Sequence, residues 1–172
     1  MANTYTKIAA VNLTSGSASS MDFTSIPSTY TDLEILISAR ATSGGEDSIT
    51  MKVNGLTTSI YSQKALEGNG ASASSFSQSG INTAVRAGVI DGATDTASTF
   101  SSTSIYIPNY AGANNKVTSN ATTPETNGTT AYMNLLAYQV ATTGAITSIS
   151  LYPNTGSFAQ YSTATLYGIS KS

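Results

Sequence analysis

The chain has no cysteine, no histidine and no tryptophan. Without cysteine there are no disulfides, thiolate metal sites or thiol nucleophiles, and without histidine there is no Ser-His-Asp triad and no imidazole base. Absent cysteines leave the redox compartment open. Charge is scarce as well: seven basic and nine acidic residues make up 9% of the 172 and leave a net charge of −2. Ordinary soluble domains carry roughly 25% charged residues. The basic residues are scattered, so no footprint for nucleic acid is present. Long apolar runs are missing too. The opening "MANTYTKIAAVNLTSGSASS" has only Lys7 ahead of a very short apolar run, and reads as neither a secretory signal nor a membrane span.

What is there in quantity is hydroxyl. Serine and threonine contribute 27 residues each, while 40% of the chain is hydrophobic, too much for a solvated disordered chain. Threonine suits strands because its β-branch stiffens χ1, and serine and asparagine suit turns through side-chain to backbone bonds. The composition therefore reads as all-β with a hydroxyl-covered surface. Such a surface repels its own copies poorly, which suits a protein packed against neighbours.

Apolar residues recur at every second position from end to end, broken by Gly, Asn, Ser and Pro. "KIAAVNL" and "SMDF" are the first candidate strands, and "TDLEILISAR" places Leu33, Ile35 and Ile37 on one face. "SITMKVNG" repeats the pattern before Asn54-Gly55, a strong hairpin signal. Residues 63–80 read as a loop, with one helical turn in "SQKALEG". "TAVRAGVI" and "TFSSTSIYIP" return to strand, and "NYAGANNK" and "SNATTPETNG" read as loops. "TTAYMNLLAYQVA" fits both periods; the strand is preferred because "TTG" leads on to "AITSISLYP" as a hairpin would. The last strand, "YSTATLYGI", buries Ala164 and Leu166 and turns tyrosines elsewhere. These eight or nine strands give a single-domain antiparallel β-sandwich over residues 1–172, specifically a jelly roll.

Three carboxylate pairs are close enough in sequence for sugar hydrolysis, Asp32/Glu34, Glu46/Asp47 and Asp91/Asp95. Each reads as a solvated face or turn, and "DGATD" lacks the ligand run of a calcium loop. No catalytic residue, cofactor or metal ligand is assigned. Glycosylation acceptor patterns at Asn12, Asn120 and Asn127 are expected by chance in so Asn-, Ser- and Thr-rich a chain. Tyr106, Tyr110, Tyr132, Tyr138 and Tyr152, with Asn114 and Asn115, could form an aromatic and amide platform for a glycan; Tyr110, Asn114 and Asn115 are its expected contact residues. Because "AITSISLY" and "YSTATLYGI" contain no Lys, Arg or Pro, their edges need covering by the sheet itself or by another copy. The expectation is a homotrimer with Tyr161 or Tyr167 at the subunit contact.

Taken in order, "DFTSIPSTYTDLEILISAR", "IYIPNYAGANNK" and "AITSISLYPNTGSFAQYSTATLYGI" resemble small virion proteins of tailed bacteriophages, of the marine and cyanobacterial type. The likeness covers most of the chain and thins between about Ala65 and Thr99. It implies a non-enzymatic structural protein on the particle exterior, with no catalytic residue to carry over. Such proteins sit as symmetric trimers on the capsid or form the head of a fibre. With no heptads and no repeat to supply a shaft, the expectation is a capsid decoration or cement protein whose partners are its own copies and the major capsid protein or another virion protein. The alternative is the receptor- or glycan-binding head of a head fibre or tail fibre, and neither reading involves nucleic acid or membrane.

Overall fold

A computed structural model describes residues 4–70, 72–125 and 132–170. Alternation sets the architecture, because a strand whose every second side chain is apolar must lay that face against another layer. In chain order the strands are β1 (Tyr5–Asn12), β2 (Met21–Phe23), β3 (Asp32–Ala39), β4 (Asp47–Val53), β5 (Tyr61–Asn69), β6 (Ser72–Ile81), β7 (Val85–Ile90), β8 (Ser101–Ile107), β9 (Lys116–Thr123), β10 (Tyr132–Val140), β11 (Ile149–Pro153) and β12 (Thr163–Ile169). They form a β-sandwich of two antiparallel sheets, an eight-stranded one in the order β1-β12-β3-β8-β9-β10-β5-β6 and a four-stranded one in the order β2-β11-β4-β7. The core lies between them. Leu33, Ile35 and Ile37 of β3, Ile105 and Ile107 of β8, and Ala164 and Leu166 of β12 face Met21, Phe23, Ile49, Met51, Val85, Ile149 and Leu151 of the small sheet.

The last strand is not an edge. β12 pairs with β1 on one side and β3 on the other, and β11 pairs with β2 and β4. Both neutral strands are thus covered within the chain. Gly168 interrupts β12 because the Tyr30 ring lies 2.3 Å from where a Cβ would stand.

Two expectations fail in the middle of the chain. Residues 63–80 are not a loop but the hairpin β5–β6, and β9 is a further strand where the sequence suggests a loop. Neither shows the usual signal: β6 is exposed almost throughout, and the inward face of β9 is Lys116, Thr118, Asn120 and Thr122. The two expected hairpins also open out. Val53–Leu56 does turn through positive φ at Asn54 and Gly55 with a bond from Leu56 N to Val53 O, but β5 then joins the other sheet. β10 and β11 likewise belong to different sheets.

The polar face of β9 has a physical reason. Among the described residues β7 ends the small sheet, with β4 as its one neighbour, and its free edge lies over the large sheet. Side chains from below meet that edge: Gln63 accepts from Arg86 N at 2.9 Å, Asn120 donates to Ala87 O at 2.6 Å, and the Thr122 hydroxyl both accepts from Val89 N at 3.2 Å and donates to Val89 O at 3.1 Å. Buried backbone groups must find partners, and here amide and hydroxyl groups stand in for a missing strand. Gly88 leaves the room, since a Cβ there would come within 3.0 Å of Thr103 Oγ1.

Candidate functional site

The feature that could meet another molecule is the outer face of the large sheet. Register aligns side chains across all eight strands. One row runs Ala10, Thr165, Leu36, Ser104, Ala121, Leu135, Leu66 and Ser75, without a charge. At a strand spacing of about 4.8 Å the row spans roughly 34 Å. Leu66 is 59% exposed and Met133, just beyond the row, 52%. Beside Leu66 and Leu135, the small residues Ser119 and Ala137 of the next row leave a shallow depression of about 780 Å³.

The adjacent row carries Lys7, Tyr167, Glu34, Tyr106, Ser119, Ala137, Lys64 and Ser77. Its β1 end is a tyrosine and carboxylate cluster. The rings of Tyr5 and Tyr167 meet edge-on with centroids 6.3 Å apart, a favoured aromatic geometry. Tyr106 donates its phenol to Asp32 at 2.8 Å, and Asp32 also accepts from Asn109 N at 2.8 Å. Ser104 donates to Glu34 at 3.0 Å. The Glu34 carboxylate beside Tyr5 raises that phenol's pKa, and the bond to Asp32 does the same for Tyr106. Both rings therefore stay neutral donors at any ordinary pH.

The other carboxylate pairs are occupied structurally. Asp47 accepts from Ser48 N and from the amide and hydroxyl of Thr155. Asp95 accepts from Gly92 N at 2.6 Å, closing the turn after β7. Arg40 clamps that turn through the carbonyls of Asp95, Thr96 and Thr99. Asp91 is buried there; desolvation, then the Asp95 carboxylate, pushes its pKa up to about 6 against smaller opposing effects of the Glu125 amide, Arg40 and Thr99. Among the described residues no three Asp or Glu are arranged to hold a metal ion.

The expected glycan platform does not assemble. Tyr110 is fully buried and donates to Pro27 O, so its ring has no free face for a sugar. This corrects its assignment as a contact, and the reason is core packing under the loop. Lys116 reinforces it from inside: its buried ammonium donates to Gly112 O at 2.6 Å and to Asn114 O, while desolvation lowers its pKa. Asn114 and Asn115 remain exposed on the loop. Tyr138 is buried, Tyr152 lies on the small sheet beneath Lys52, and Tyr106 is on the outer face. The acceptor pattern at Asn120 is buried, and that at Asn127 lies outside the described residues.

Tyr161 and Tyr167 are not brought together. Tyr161 is 66% exposed in the turn before β12, in the left-handed region at φ 71°. Tyr167 is half-buried near the strand's far end, about 20 Å away at the strand rise per residue. Tyr5, Asp32 and Glu34 were the members of the outer cluster that alternation alone did not join to Tyr106 and Tyr167; register does it. Comparison with protein-family models, curated proteins and solved structures returns no match.

Proposed function

We propose that this chain is a non-enzymatic virion structural protein that decorates the exterior of a phage capsid and acts by covering surface. The observation that carries the reading is the outer face of the large sheet, wide, nearly uncharged and studded with exposed Leu36, Leu66, Leu135 and Met133. Contiguous apolar exposure of this kind marks a surface that is covered in use. The strand order supports a jelly roll, the fold of many capsid and lectin domains. β1, β2, β3 and β4 pair in turn with β12, β11, β8 and β7, as one long hairpin folded over on itself would. β9–β10 and β5–β6 extend one of its sheets. The resemblance to tailed-phage virion proteins points the same way.

Particles assembled with and without the protein test the reading. Those lacking it are expected to lose infectivity sooner on heating and on transfer to low salt, because burial on the bound state stabilises it. Equal resistance overturns decoration. One observation favours a second reading, binding of a glycan as a fibre head: the Tyr5, Tyr106 and Tyr167 cluster sets rings beside Asp32 and Glu34, aromatic faces for C–H groups and acceptors for hydroxyls. Gold-labelled antibody against the chain separates the two, on the capsid shell for decoration and at a fibre tip for the alternative.

The expected trimer has lost its motive in β11 and β12, since the sheets themselves cover those edges. A contact at Tyr161 now rests on its exposure alone, and Tyr167 is half-buried against Tyr5.

A further inference from the structure

The two sheets present four edges among the described residues, and three are blunted along their length against pairing with another chain. β1 has Lys7 and a register shift between Lys7 and Ala9. β2 is three residues long and centred on Asp22. β7 has Arg86, a register shift in its pairing with β4, and backbone groups met by Gln63, Asn120 and Thr122. These are the means by which proteins blunt strand edges. β6 has none. It runs ten residues as "SASSFSQSGI", with no charge and no proline, is exposed apart from half-buried Phe76 and Ile81, and closes the sheet order with β5 as its one neighbour.

We propose that the free edge of β6 is a self-association site at which two copies pair antiparallel about a two-fold axis, joining their large sheets into one. The occupant follows from the side chains. Strand-addition sites that take a foreign segment select it through pockets for alternate side chains, whereas β6 offers serine, alanine and glutamine. The same neutrality makes β6 complementary to itself, because no like charges meet across the seam. In an antiparallel pair, residues directly opposite share a face, so a two-fold centred on Phe76 sets the two Phe76 rings side by side. Each is already supported by Arg86, whose guanidinium carbon lies 5.6 Å from the ring centre and whose NH1 is paired with Glu67. That register also sets Ser75 opposite Ser77 of the other copy, both within the regular part of the strand.

Sedimentation equilibrium on the full chain tests the site. The mass is expected to rise from 17.6 kDa towards twice that value between micromolar and millimolar concentration. Ser75→Lys with Ser77→Lys, which opposes lysines twice across the seam, is expected to weaken association at least tenfold. Ser75→Lys with Ser77→Glu, which opposes Lys to Glu, restores it. A chain that stays monomeric at millimolar concentration overturns the proposal, as does association that both substituted chains retain unchanged or a limiting mass of three copies. Circular dichroism of each variant guards against misfolding, and these outcomes do not depend on the protein's place in a particle.

Discussion

β7 and β6 pose the same physical problem and receive opposite treatments. Each is the outermost strand of its sheet, with a row of backbone groups that no neighbouring strand meets. Where the sheets overlap, the edge of β7 is answered by Gln63, Asn120 and Thr122 from the layer below. Where the large sheet extends past the small one, β6 is left to water. A buried edge has to be satisfied because an unpaired amide or carbonyl costs about 1–3 kcal/mol away from solvent. An exposed edge costs little in the single chain, and so can stay open for a partner.

The sharpest way to break this comparison is to remove the side chains that serve β7. Asn120→Leu with Thr122→Val keeps volume but leaves Ala87 O, Val89 N and Val89 O without partners. The expected loss of stability is about 4 kcal/mol, from three buried groups at 1–3 kcal/mol each, read from the urea midpoint. A loss below about 1 kcal/mol, within the range of an ordinary surface change, would mean that water serves this edge as well.

A smaller effect is expected just beyond the end of β7. Burial raises the Asp91 carboxyl from its ordinary value of 3.8 to about 6 in the folded chain. The folded state therefore holds this proton more tightly than the unfolded one. The contribution is fully present below about pH 3.8 and is lost as pH rises through about 6. Asp91→Asn should flatten the stability profile across that window and leave its slope outside unchanged. An identical profile in the variant would show that Asp91 is ionised at no cost.

The smallest effect belongs to β6. At concentrations too low for association, the paired lysines at Ser75 and Ser77 should shift stability by no more than about 0.5 kcal/mol, as for substitutions on an exposed surface. A large shift would show that β6 supports the single chain instead of standing open.

How much of this was legible depends on what each residue faces. β3, β4, β8, β11 and β12 alternate apolar with polar because one side meets the core, and alternation finds them. β5–β6 and β9 were missed for different reasons. β6 meets water on both faces, so its sequence has no period to detect. β9 alternates, but its buried positions are hydroxyl, amide and ammonium groups; Asn120 and Thr122 bond backbone groups of β7, and Lys116 the carbonyls of the loop before it. Tyr110 was misplaced for a related cause: a tyrosine in a Gly- and Asn-rich stretch looks exposed until Pro27 and the core are seen beneath it.

By itself the sequence determined the class of fold, because period-two burial without helical spacing admits only sheets, and it removed thiol and imidazole chemistry by composition. The tertiary structure alone decided which strands are edges. Whether "YSTATLYGI" lies exposed or between β1 and β3 depends on pairings between residues more than a hundred positions apart, and no local pattern encodes them. It also decided that the row from Ala10 to Ser75 is one surface, since register, not sequence distance, brings those eight side chains into line.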